Sequence, residues 1–212
     1  MAVLFRTKIT MKNNVWYNKD ILPEQMVLGA LGVLDGWSRL ENTDHYPLLK
    51  HLINAANAET LCDLGCGAGE LGRLFNLTHN YIGYDLSHII EKVAINLNPS
   101  LNYIKFDINT FNYSDLLKYD LIVCNAFLTE MPNPEHILKN ILQNTNKNLI
   151  IHRQDFSDET NVVNAITYGN LQSIKSIIGW KCFYSLLDDN NLHIKEKHNT
   201  SSNSYSLLIT KK

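Results

Sequence analysis

The chain has 212 residues, 45% of them hydrophobic and 19% charged, with a formal net charge of −2. That length supports one domain with a sizeable buried core, and the composition excludes a disordered or collagen-like chain. The balanced charge gives no broad basic field for wrapping nucleic acid, and no apolar run approaches the roughly 18 residues of a membrane helix.

Residues 1–59 form the first zone, read as an N-terminal helical cap. Its opening apolar run is broken by Arg6 and Lys8, too short for a secretory leader. Apolar residues recur at helical spacing in Pro23–Leu34 and in Tyr46–Ala56, and Pro23 suits a helix start. Trp16, Tyr17, Trp37 and Tyr46 also lie in this zone.

Residues 60–154 alternate short apolar runs with helical patterns. The runs Thr60–Leu64, Tyr81–Tyr84, Asn102–Phe106, Asp120–Cys124 and Asn148–Ile151 predict strands. Between them, Glu70–Leu77, Ile89–Leu97, Tyr113–Leu117 and Pro134–Gln143 predict helices. Repeated βα units imply a doubly wound parallel sheet with its ligand crevice at the C-terminal strand ends.

In residues 155–212, Glu159–Leu187 has a mostly helical pattern. Leu192–His198 and Ser204–Thr210 then predict a strand hairpin joined by the polar Asn199–Asn203. The expected fold is α/β, a Rossmann-like seven-stranded mostly parallel sheet with a C-terminal antiparallel hairpin and the helical cap, all in one domain.

The most informative stretch runs Asp63-Leu64-Gly65-Cys66-Gly67-Ala68-Gly69-Glu70-Leu71-Gly72. A strand enters, three alternating glycines follow, and a helix leaves with its free N–H groups aimed at a ligand. Gly67-x-Gly69-x-x-Gly72 fits the dinucleotide fingerprint, with Asp85 at about the ribose position. The same residues also read Asp-x-Gly-x-Gly-x-Gly. In that form the loop resembles motif I of the class I S-adenosylmethionine-dependent methyltransferases.

The resemblance extends through Tyr81-Ile82-Gly83-Tyr84-Asp85-Leu86, Ile104-Lys105-Phe106-Asp107-Ile108, Tyr119–Ala126 and Met131-Pro132-Asn133-Pro134, over residues 48–212. It implies S-adenosylmethionine as cofactor and S-adenosylhomocysteine as product. The implied contacts are Asp85 to the ribose, Asp107 and Ile108 to the adenine, and Asp63 to the methionine portion. Gly65, Cys66, Gly67, Gly69, Leu86 and Asn125 complete the cofactor set. A nicotinamide-dependent oxidoreductase and a catalytically silent binding module stay open as rival readings of the loop.

Cys62 and Cys66 have no second Cys/His pair at zinc spacing, so no metal is expected. Buried reduced thiols favour the cytosol. Acceptor-side residues should come from the loops after the fourth and fifth strands. Relatives acting on small molecules often carry Leu-Glu-His before the proline, whereas Leu128-Thr129-Glu130 lacks the histidine and leaves Glu130 as the candidate. After the fifth strand, His152 is the candidate general base. Arg153 and Asp155 are expected to pair at the surface. Trp16, Tyr17, Tyr46, Tyr168 and Trp180 are candidate aromatic walls, with Glu24, Arg39 and His45 within the same reach. No Asn/Asp-Pro-Pro-Tyr/Phe tetrapeptide is present. The expected acceptor is therefore a small molecule, with protein or tRNA as the alternative.

Overall fold

A computed structural model describes residues 15–17, 19–33, 39–75, 80–167 and 171–212 of the chain. Trp37 and Tyr168 lie outside the described residues. Helix α1 (Ile21–Ala30) packs Leu22 and Met26 against Ile89 and Val93. Helix α2 (Tyr46–Ala56) has Pro47 in its first turn. It buries Leu49, Leu52, Ile53 and Ala56, the i, i+3, i+4, i+7 stripe, against the sheet.

Five strands run parallel: β1 (Leu61–Leu64), β2 (Tyr81–Asp85), β3 (Asn102–Lys105), β4 (Leu121–Asn125) and β5 (Asn148–Ser157). The short α3 (Glu70–Leu74) follows β1. A helix with a π-helical middle follows β2, formed by α4 (Ser87–Ile89), Ile90–Ala94 and α5 (Ile95–Leu97). A 3₁₀ segment, Tyr113–Lys118, precedes β4, and α6 (Pro134–Gln143) leads into β5. Every residue of β1 is buried, as are Leu121–Cys124 of β4, because helices cover both faces of the central parallel strands.

The order is β3-β2-β1-β4-β5, after which β9 (Ser204–Lys211) pairs antiparallel with β5 and β8 (Leu192–Ser201) with β9. These are the seven expected strands. The chain works outward from β1 to β3, then crosses back to β4 beside β1. That reversal opens the crevice at the ends of β1 and β4, where the site forms.

The helical expectation for Glu159–Leu187 is corrected. The segment forms two further strands, β6 (Asn161–Thr167) and β7 (Leu171–Gly179), before α7 (Trp180–Asp189). Leu171, Ile174, Ile177 and Ile178 recur at helical spacing, which explains the misreading. The deciding partner is distant in sequence. Past His152, where its pairing with β4 ends, β5 stays paired with β9 and its other edge takes β7 over Asp155–Ser157. Gln154 donates its amide to the Ser176 carbonyl at 2.8 Å, and Ser176 donates its hydroxyl to the Met131 carbonyl. The nine strands thus form one sheet.

Trp180 stacks on Phe156 at 4.1 Å with Lys197 over its face at 3.7 Å. Among the described residues, no helix is long and apolar enough to cross a membrane.

Close packing under the glycine loop is also testable. A Cβ on Gly83 of β2 would meet Cys66 Sγ at 2.8 Å and Tyr103 Cδ1 at 2.9 Å. Gly83→Ala is expected to destabilise by about 1–3 kcal/mol through overpacking, measured by urea denaturation.

Candidate functional site

The crevice holds a cavity of about 400 Å³. Its floor is the loop that leaves β1. Gly65 has φ +73° and a Cβ there would meet Phe127 Cδ2 at 2.7 Å, while Gly67 has φ +54°. Only glycine adopts these angles without cost and leaves the backbone open to a ligand. Gly69 caps α3, and its Cα faces the Tyr103 hydroxyl and not the cavity.

Asp85 closes this wall. Its Oδ2 accepts the Gly67 N–H and its Oδ1 the Leu86 N–H, both at 2.7 Å. Burial pushes its carboxyl up to about 6, against the pull of those two donors. Each oxygen keeps acceptor capacity toward the cavity, which suits a vicinal diol.

Asp63, at the end of β1, is 3% exposed and accepts the Tyr81 hydroxyl at 2.8 Å. Burial, opposed by the Tyr81 hydroxyl and reinforced by the charge of Asp85, raises it to about 7. An acid raised in the folded state stabilises fully below its unfolded pKa of about 4, and that contribution disappears as pH rises through about 7. Asp63→Asn should therefore gain stability relative to the native protein as pH is raised from about 4 to about 7. Paired thermal melts across that range check it, and a constant difference would refute it.

Leu86, Phe106 and Ile108 supply an apolar wall, and Cys66, Asn125 and Glu130 also line the cavity. Asp107 does not. Its Oδ1 accepts the Tyr17 hydroxyl at 3.2 Å and both the backbone and amide N–H of Asn109. It thus holds Tyr17, which does line the cavity and stays protonated, pushed up to about 12 by burial and the Asp107 charge.

The opposite wall corrects two expectations. His152 does not face the cavity: it is fully buried, with Nε2 3.1 Å from His45 Nδ1 and Nδ1 2.7 Å from Ser206 Oγ. The histidine on the cavity wall is His45, at the start of α2. Burial first, then the Arg153 charge, holds His45 down to about 4 and His152 to about 2, so both rings are neutral near pH 7.

Arg153 also lines the cavity and does not pair with Asp155. Its guanidinium donates to Asn125 Oδ1 at 3.3 and 3.4 Å, while Asp155 pairs with Lys175 at 2.6 Å. A register shift in β5 between Ile151 and Gln154 turns Arg153 inward. Ala126, just past β4, and Arg153, at the irregularity within β5, have left-handed φ of 54° and 58°, a conformation that tends to persist where a site needs it.

Of the aromatic candidates, Trp16 and Tyr17 line the cavity; Tyr46 packs against Phe75 and Trp180 against Phe156. Glu24 and Arg39 lie outside it, whereas Glu70, Met26 and Met131 line it without having been singled out in the sequence. Their signal was weak, since helix and loop residues of these types are mostly packing or surface.

The donor set fits an adenosyl ligand: an open glycine backbone, a diol-accepting carboxylate and an apolar slot. Solved structures share the fold. One is the amino pentose methyltransferase CalS10 from Micromonospora echinaspora, solved with SAM bound, at 12% identity and TM-score 0.61, covering 82% of this chain and 94% of that one. Another is the magnesium protoporphyrin IX methyltransferase ChlM from Synechocystis PCC 6803 with bound SAM, at 16% and 0.56, covering 78% and 77%. A third is the N-terminal domain of EvdMO1 with SAH bound, at 13% and 0.57, covering 84% and 88%. No curated protein sequence matches the chain. Residues 55–195, most of the chain, match the sequence model described as a methyltransferase domain, and the protein belongs to that family.

Proposed function

We propose that this methyltransferase uses S-adenosylmethionine and transfers its methyl group in line to a small-molecule acceptor. The observation that carries the reading is the division of one cavity. The glycine loop and Asp85 form one wall, with His45, Arg153, Glu130 and Met131 lining the acceptor side. A cavity of about 400 Å³ whose acceptor side carries His45, Arg153 and Glu130 suits a compact acceptor with polar groups. Two similar folds belong to enzymes named for an amino pentose and a porphyrin, which supports the same class. Four free thiols support a reducing, cytosolic setting.

In this reading Asp85 holds the ribose hydroxyls, Ile108, Leu86 and Phe106 flank the adenine, and Gly65–Gly67 lie along the cofactor. Asp63 stands near the methionine portion. When bound, the sulfonium supplies an already activated methyl group. The protein's share is therefore alignment, where orientation contributes on the order of 7–11 kcal/mol in good cases.

His45 is the proton acceptor. Its Nδ1 is turned to His152, leaving Nε2 for the acceptor's O–H or N–H. His45 Nδ1–H then donates to His152 Nε2, and His152 Nδ1–H to Ser206 Oγ, which also accepts the Arg153 N–H at 3.3 Å. A weakly basic ring suffices because an oxygen or nitrogen becomes far more acidic as it gains the methyl group. His152 is a positioning residue, setting the tautomer of His45.

The test offers S-adenosylmethionine with small hydroxylated and amino compounds, with bulk tRNA, or with protein, and follows S-adenosylhomocysteine release. Turnover with the small compounds is expected. Turnover confined to tRNA or protein would overturn the small-molecule reading. Absence of any thermal shift with millimolar S-adenosylhomocysteine, on folded protein, would overturn the cofactor assignment.

A further inference from the structure

Away from the cavity, α2 and the edge strand β8 bring three ligand-type side chains together. Among the described residues, His51, Glu196 and His198 are the one set of three whose donor atoms all lie within 4.8 Å of one another. His51 Nε2 is 2.8 Å from Glu196 Oε2, and His198 Nε2 is 3.1 Å from the same oxygen. We propose that these residues form a binding site for a divalent transition-metal cation of the zinc type.

The geometry supports it in three ways. Zinc–nitrogen bonds of about 2.0–2.1 Å place neighbouring donors of a tetrahedral shell about 3.3 Å apart, so two of the three separations are already close to that spacing. The side chains are pre-gathered by the fold: Glu196 and His198 sit two residues apart on one face of β8, and His51 faces them from α2, 145 residues from Glu196. The two imidazole rings stand edge to face with centroids 6.0 Å apart. With His51 57% and His198 39% exposed, solvent has access to the fourth position.

The donor chemistry narrows the ion. Two imidazoles with one carboxylate suit zinc, cobalt or nickel, whereas magnesium and calcium select all-oxygen shells. With both rings neutral the trio carries a single negative charge. Of the adjoining lysines of β8, Lys195 donates to the Ala55 carbonyl at 3.0 Å and Lys197 lies over the Trp180 ring. Coordination replaces two N–H···O bonds that share one carboxylate oxygen. It also ties the helix that begins beside His45 to the C-terminal hairpin.

The test uses untagged, EDTA-stripped protein titrated with ZnCl₂ by calorimetry, with parallel melts in zinc or magnesium. One equivalent of zinc should bind with a dissociation constant in the micromolar range or below. The melting temperature should rise by several degrees with zinc and not with magnesium. His51→Ala and His198→Ala should each weaken zinc binding about tenfold or more. The double variant should lose the zinc-dependent shift while keeping the metal-free melting temperature, because both side chains are at the surface. If that variant does not fold, Glu196→Gln, isosteric with the native residue, is measured in the same way and should lose the shift. No saturable binding by the native protein up to about 100 µM zinc, or undiminished affinity in the variants, would overturn the assignment.

Discussion

Asp85→Ala should lower affinity for S-adenosylhomocysteine by a factor on the order of 10² to 10⁴, with the protein still folded. Two ribose hydroxyls donating to a carboxylate contribute about 1.5–3 kcal/mol each, and their joint loss gives that range. A second effect adds to it. The Asp85 carboxylate also accepts the Gly67 and Leu86 N–H groups, so alanine frees the loop that forms the cofactor wall. Asp85→Asn keeps one acceptor oxygen without the charge and should fall between native and alanine. Calorimetric titration measures all three proteins, and an alanine variant within a few-fold of native would remove Asp85 from the cofactor site.

His45→Ala is expected to lower kcat by roughly 10²–10⁴ for any acceptor that the native protein methylates, while S-adenosylhomocysteine affinity changes little. The split follows from the proposed roles: His45 lines the cavity in contact with His152 of β5, whereas the cofactor is assigned to the glycine loop and Asp85. Because burial and the Arg153 charge hold its ring down to about 4, the neutral form persists well below the ordinary histidine range. The acid limb of kcat in the native enzyme should accordingly fall near pH 4 and not near 6.5. Ser206→Ala, which removes the outer partner of His152, should cost less than His45→Ala and leave binding unchanged. Equal kcat in the His45 variant and the native enzyme would defeat the assignment.

Much of the cavity wall formed by β1, β2 and the glycine loop was legible before any coordinates. Asp63, the alternating glycines and Asp85 occupy adjacent strand ends because consecutive parallel strands pair in chain order, so a local motif specifies a local geometry. The bounds of α2 and α6 were equally readable, since their apolar stripes and early prolines act within one helix. Gly69, turned to Tyr103, was one exception on that wall, and Asp107 was the other. Its type and position matched, yet Tyr17 and Asn109 take its carboxylate, and Tyr17 comes from 90 residues away.

Across the cavity Glu130 was singled out and lines it, but the histidine pair and Arg153 were not legible, for the same reason in reverse. His45 and His152 are 107 residues apart, and nothing in the spacing of either reports that one ring stands in front of the other. Arg153 reads as a surface charge until the β5 irregularity turns it inward. The β6–β7 segment carries apolar residues at a spacing that serves a helix or a half-buried strand, and the edge of β5 that extends past β4 decides between them. The amino-acid sequence alone therefore determined the parallel sheet and the cofactor loop, where the contacts that matter are local or between successive strands. The tertiary structure decided which histidine lines the cavity, where Arg153 points and what β5 pairs with, because those contacts join segments whose separation leaves no trace in periodicity.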